Sequence, residues 1–137
     1  MAFALMGRVF DGESIRSELA VVIDGARIAK VIAAKNLAKG VERRTLNGGL
    51  LVPGFIDLQV NGGGGALLND HPTVATVRRI AESHRKYGTT GMLPTVITDA
   101  PEILSKAISA VKAARAENTP GVLGIHIEGP FRSSCWW

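Results

Sequence analysis

The stretch that decides the fold begins at Leu51-Val-Pro-Gly-Phe-Ile-Asp-Leu-Gln-Val60 and closes at Val122-Leu-Gly-Ile-His-Ile-Glu128. Both ends read as strands, and residues 91–97 between them read as a third. Between the first two strands, Val74, Val77, Ile80, Ala81 and Tyr87 recur at helical spacing, with Pro72 near the start and Gly88 just past the end. Between the second and third, Asp99 stands where a helix is capped, with Pro101 in the first turn and Glu102 three residues on. Ile103, Leu104, Ala107, Ile108, Val111 and Ala114 form that helix's apolar stripe, and Asn118-Thr-Pro-Gly121 ends it. The order β-α-β-α-β predicts parallel strands joined by helical crossovers, hence an α/β layer. Three such strands leave two open edges.

Upstream the texture changes. Arg8-Val-Phe10, Leu19 to Ile23 and Arg27 to Ile32 read as short strands, with turns at Asp11-Gly12 and Asn47-Gly48-Gly49. Asp24-Gly25 predicts a tight type I′ hairpin, because both central residues of that turn need positive φ. About fifty residues of this kind make a small sheet with a thin core.

Composition excludes several classes. With 46% hydrophobic residues among 137, the chain has enough apolar side chains to bury a core and is not disordered. No run approaches the roughly 18 apolar residues of a membrane span, and Met1-Ala-Phe-Ala-Leu-Met6 lacks a basic start, so no secretory signal is expected. Cys135 is the single cysteine and has no internal partner, which fits the cytoplasm. A net charge of +4 invites a nucleic-acid reading. However, Arg78, Arg79, Arg85, Lys86, Lys106, Lys112 and Arg115 lie on the helical segments among Glu82, Glu102 and Glu117, without interleaved aromatics. They read as solvated helix faces, so neither nucleic acid nor membrane is expected as a partner.

Side chains alternate across a strand. Ile56, Leu58 and Val60 are therefore expected on one face, under the helices, with Asp57, Gln59 and Asn61 on the other. In the third strand Ile125 and Ile127 oppose His126 and Glu128. The polar sets end at the carboxyl ends of the strands, where α/β proteins place ligands. Gln59, Asn61 and Glu128 are thus expected to converge, with Thr95 between them. Gln59 and Asn61 suit equally well a role in satisfying loop backbone groups. An inward carboxylate at Glu128 has to be paired, protonated or metal-bound. The run Asn61-Gly-Gly-Gly-Gly65 fits an anion cradle or a flexible turn. His71 and His84 read as structural or solvated, and His126 as packed and hydrogen-bonded.

Three motifs carry a resemblance: Val52-Pro-Gly-Phe-Ile-Asp-Leu-Gln-Val-Asn-Gly62, Gly88-Thr-Thr-Gly-Met-Leu-Pro-Thr95 and Gly124-Ile-His-Ile-Glu-Gly-Pro-Phe131. Together they closely resemble the N-acetylglucosamine-6-phosphate deacetylase family of the amidohydrolase superfamily, from near residue 5 to Phe131. The resemblance implies a (β/α)8 TIM barrel, of which this chain holds the first three strands, preceded by part of a small β-sandwich. The implied boundaries are 1–51 for the sandwich part, 52–131 for the barrel start and 132–137 for an atypical tail. A complete barrel needs about 200 to 250 residues, so an amino-terminal fragment is expected. Where the superfamily carries His-x-His, this chain has Gln59-Val-Asn61, a replacement some family members share. That implies a site with one divalent metal ion, zinc by expectation, and Glu128 as its carboxylate ligand.

The family's two histidine ligands, its catalytic aspartate and most sugar-phosphate contacts would lie beyond Phe131, where this chain reads Arg132-Ser-Ser-Cys-Trp-Trp137. No catalytic residue is therefore expected in this chain, and activity is not expected from it alone. For the full-length enzyme the resemblance implies a homodimer acting on an amino-sugar phosphate and yielding glucosamine 6-phosphate and acetate. Two alternatives stand beside it: another amidohydrolase with a different acyl substrate, and a non-catalytic anion-binding module built on Asn61 to Gly65.

Overall fold

In the computed structural model, residues 2–129 are described. The chain divides into two units, Met1–Pro53 and Gly54–Trp137. The first is a sheet of β1 (Phe3–Phe10), β2 (Ile15–Asp24), β3 (Arg27–Ala33) and β4 (Glu42–Thr45), in the order β3-β2-β1-β4. Its pairs are antiparallel except β1 with β4, which is parallel. Alternation buries Ala4 and Ala20 with Leu37 in one cluster, and Val9, Leu19 and Val21 in another. β4 is absent from the sequence reading because Glu42-Arg-Arg-Thr45 is polar and exposed throughout. Its pairing with β1, not its own pattern, makes it a strand. The hairpin also differs from expectation. Asp24 pairs with Arg27, so Gly25 and Ala26 are the central residues, and only Gly25 has positive φ, at 57°. Glycine first with an ordinary second residue is the type II′ pattern.

The second unit contains β5 (Phe55–Val60), α1 (Val74–Arg85), β6 (Thr89–Ile97), α2 (Pro101–Ala116) and β7 (His126–Glu128). Its three strands are parallel, in the order β5-β6-β7, so the α/β layer read from the sequence is present. Val77, Ile80 and Ala81 of α1 and Ala107, Val111 and Ala114 of α2 pack with Val60, Met92 and Val96 of the sheet. Thr73 caps α1, its hydroxyl accepting from the Thr76 N–H at 3.2 Å. Tyr87, expected in the stripe of this helix, lies beyond its last residue and is exposed.

Three further expectations are corrected. Ala100, not Asp99, is the N-cap of α2. The Asp99 carboxylate is held instead by the Ala100 N–H at 2.7 Å and the Asn69 amide at 2.9 Å. The third strand is shorter than read. Val122 makes an isolated bridge to Met92, and regular pairing resumes only at His126.

The third correction bears on the site. Ile56, Leu58 and Val60 do not share a face under the helices. Val60 is buried at 2% exposure, whereas Ile56 and Leu58 are 64% and 63% exposed. From Asp57 to Val60 β5 advances three residues while β6 advances two, from Met92 to Pro94. The extra residue makes a β-bulge, which resets the alternation. Asp57 Oδ1 stabilises it by accepting the Gln59 N–H at 3.1 Å. Ile56 pairs with Gly91, and a Cβ built on Gly91 would touch both Ile56 and Leu123. That face, opposite Met92 and the helices, carries an uncovered apolar patch.

Candidate functional site

The three strands end at a common edge, and a chain of hydrogen bonds joins those ends. Gln59, one residue from the end of β5, donates from Nε2 to Glu128 Oε2 at 2.8 Å. Glu128 is the last residue of β7 and pairs in register with Ile97, the last of β6. The Gln59 side chain thus spans the middle strand to reach the carboxylate, and the bulge at residues 57–60 sets its position. The structure brings together two of the three expected residues. Asn61 follows β5, is exposed, and no hydrogen bond joins it to this pair among the described residues. Thr95 is buried, and its hydroxyl bonds locally to the Leu93 carbonyl at 3.4 Å.

Glu128 is exposed. Its hydrogen-bond partner is a neutral amide, and no salt bridge joins it to another side chain among the described residues. Oε1 accepts no hydrogen bond from protein among the described residues.

Two residues at this edge carry no signal in the sequence reading. Asn69, in the loop after β5, accepts the Ile97 N–H at 3.0 Å and donates to the Ile97 carbonyl at 3.2 Å and to Asp99 Oδ2 at 2.9 Å. One side-chain amide therefore completes the end of β6. The Asn69 amide, followed by the Ala100 N–H, holds the Asp99 carboxyl below the ordinary carboxylate value. Thr98 donates its hydroxyl to the Glu128 carbonyl at 3.2 Å. An asparagine in a Leu67-Leu-Asn-Asp70 loop and a threonine after a strand have no periodic pattern to mark them.

The glycine run contains a tight turn. Gly63 and Ala66 exchange both backbone hydrogen bonds, at 2.9 and 3.1 Å, around Gly64 and Gly65, both at positive φ. Within the run Asn61 to Gly65, the N–H of Gly63 is therefore engaged. A Cβ on Gly63 would overlap Ser83 and His84, so the loop lies against α1. His84 fastens it through Nε2 to the Gly62 carbonyl at 2.8 Å, the structural role expected of it. A depression of about 890 Å³ lies elsewhere, in the first unit, beside Arg8, Arg16, Glu18 and Lys35. Arg16 there is committed to Asp11 at 3.7 Å.

One oxygen of this carboxylate is steadied by an amide, and the other accepts no hydrogen bond among the described residues. No group of three or more His, Cys, Asp or Glu side chains able to hold a metal ion occurs among the described residues.

Residues 3–51 match the family described as the NagA composite domain. An N-acetylgalactosamine-6-phosphate deacetylase of Shewanella sp. (strain ANA-3) is 53% identical over 88 residues, which are 64% of this chain and 22% of that one. An N-acetylglucosamine-6-phosphate deacetylase of Haemophilus influenzae is 37% identical over 134 residues, 97% of this chain and 35% of its own length. The crystal structure of the Pasteurella multocida N-acetylglucosamine-6-phosphate deacetylase superposes with a TM-score of 0.89 at 30% identity, over 98% of this chain and 36% of that one. The chain thus spans about a third, or less, of the relatives it matches. These relatives are amino-sugar-phosphate deacetylases by name, and the chain is similar to the amino-terminal part of such proteins.

Proposed function

We propose that this chain forms the amino-terminal part of a cytoplasmic deacetylase that hydrolyses the acetamide of N-acetylglucosamine 6-phosphate to glucosamine 6-phosphate and acetate. In this reading β5, β6 and β7 are the first three strands of a (β/α)8 barrel, and β1 to β4 are part of a β-sandwich. The two would be domains bounded near residue 51, and the full-length enzyme a homodimer. The observation that carries the reading is the Gln59–Glu128 hydrogen bond at the carboxyl ends of parallel strands. Glu128 offers Oε1 to a divalent ion, zinc in this reading, and Gln59 fixes the carboxylate by holding Oε2. Asn61 lines the substrate side. A divalent ion held by Glu128 would supply Lewis acidity toward the acetamide carbonyl.

A zinc site of this kind needs about three protein ligands, and the described residues supply one. The aspartate that takes and returns the proton in the family also has no counterpart among them. Purified alone with zinc, the 137-residue chain is expected to release no acetate above background. Turnover by it would contradict the reading. At full encoded length the protein is expected to release acetate from N-acetylglucosamine 6-phosphate in a metal-dependent manner.

One observation favours a second reading: the Shewanella relative, 53% identical over the part it shares, acts by its name on the galactosamine epimer. The two sugars differ at the 4-hydroxyl alone. Side-by-side kcat/KM values for both phosphates decide between them. In an anion-binding module on residues 61–65, the N–H of Gly63 is already engaged by the Ala66 carbonyl.

A further inference from the structure

We infer that Thr98 is a positioning residue for Glu128, and that Asn69 braces it. The inference rests on the reading of Glu128 as a metal ligand and names what holds that ligand. Gln59 restrains one carboxylate oxygen, but a side chain is only as fixed as the backbone that carries it. Glu128 is the last residue of a three-residue strand, and a Gly-Pro pair follows it. Its backbone therefore has little regular pairing beyond the Ile97 register. Thr98 supplies the missing restraint. Its hydroxyl donates to the Glu128 carbonyl at 3.2 Å.

The same oxygen lies where a Cβ on residue 129 would have to stand, and Gly129 sits there at φ 105°. The Thr98 side chain thus closes over the Glu128–Gly129 peptide, and only glycine admits it at that φ. Thr98 is in turn clamped from both sides. Asn69 binds both backbone groups of Ile97 before it and the carboxylate of Asp99 after it. The contacts close a ring: the loop after β5 holds the end of β6, the end of β6 holds Glu128, and Glu128 is bound back to β5 through Gln59. Neighbours that orient a metal ligand typically change metal affinity by about 10- to 100-fold when removed.

The test uses the protein at its full encoded length with Co²⁺ as the probe, its affinity measured by chelator competition and its ligand field by visible spectroscopy. Thr98→Val keeps the shape and removes the donor. It is expected to weaken Co²⁺ binding by about 10-fold or more and to alter the spectrum. Thr98→Ser, which restores the hydroxyl, is expected to return both to within about 2-fold of the parent. Asn69→Ala is expected to weaken binding in the same direction by a smaller factor and serves if Thr98→Val fails to fold. If the parent binds Co²⁺ and Thr98→Val binds it equally well with the same spectrum, the positioning role is overturned and the metal-ligand reading survives. A parent that takes up no Co²⁺ overturns both. Equal losses in Thr98→Val and Thr98→Ser overturn the hydroxyl's role, since packing alone would then account for the effect.

Discussion

The two units bury their apolar residues in contrasting ways. In Met1–Pro53 the buried side chains fall into two small clusters, one built on alanines and Leu37 and the other on Val9, Leu19 and Val21. In Gly54–Trp137 a single cluster runs from Val60 through both helices to Val122, with Leu68, Ile80 and Met92 almost wholly enclosed. A bare sheet divides its apolar side chains between two faces. A sheet with crossover helices concentrates them on one. The second arrangement makes the larger core and leaves its other face open, and that open face is where the candidate ligand stands.

The comparison is broken most directly by truncating the cores. Ile80→Ala empties a fully enclosed site in the larger cluster and is expected to cost about 4 kcal/mol. Leu19→Ala, in a small cluster, is expected to cost about 2 kcal/mol, the low end for such changes. Urea melts followed by peptide-resolved hydrogen exchange assign each loss to its unit. Equal losses would show that the clusters do not differ in the support they give. A smaller effect is expected at the start of α1. Thr73→Ala removes the side-chain acceptor for the Thr76 N–H and should cost about 1 kcal/mol, with exchange quickening first in residues 74–77.

The smallest effect is acid sensitivity, and it sharpens the contrast. Asp99 in the second unit is held below its ordinary value of 3.8 by the Asn69 amide and the Ala100 N–H. In the first unit Asp11 is lowered by the Ser14 and Glu13 N–H groups, and Glu42 by Arg44. A folded value below the unfolded one stabilises above the unfolded pKa, and the gain is lost as pH falls through the folded value. The urea midpoint should therefore decline below about pH 4. In Asp99→Asn the decline should be shallower for the second unit and unchanged for the first. An unaltered acid limb in the second unit would remove Asp99 from the account.

Most of the order of elements was legible because periodicity depends on local chemistry. The stripe of α2 from Ile103 to Ala114 and the parallel strands around it follow from helical spacing and turn residues. β4 was not legible, since four polar residues form a strand only where β1 offers an edge. The bulge in β5 was likewise hidden. Strict alternation put Ile56 and Leu58 under the helices, whereas one extra residue against β6 reverses them. At the candidate site, the meeting of Gln59 with Glu128 was legible from their places at strand ends. Asn69 and Thr98 escaped because their roles come from contacts about thirty residues away along the chain.

The uncovered face bearing Ile56, Leu58 and Leu123 also has a meaning in time. Synthesis proceeds at about 5–20 residues per second, and domains form from the amino end. The Val60–Ile80–Val111 core can therefore assemble within seconds of leaving the ribosome, while the opposite face remains wet and adhesive. While uncovered, parallel edges and three large aliphatic side chains make this face prone to association. The glycines and amides that fasten the strand ends need no cover on that face to do so.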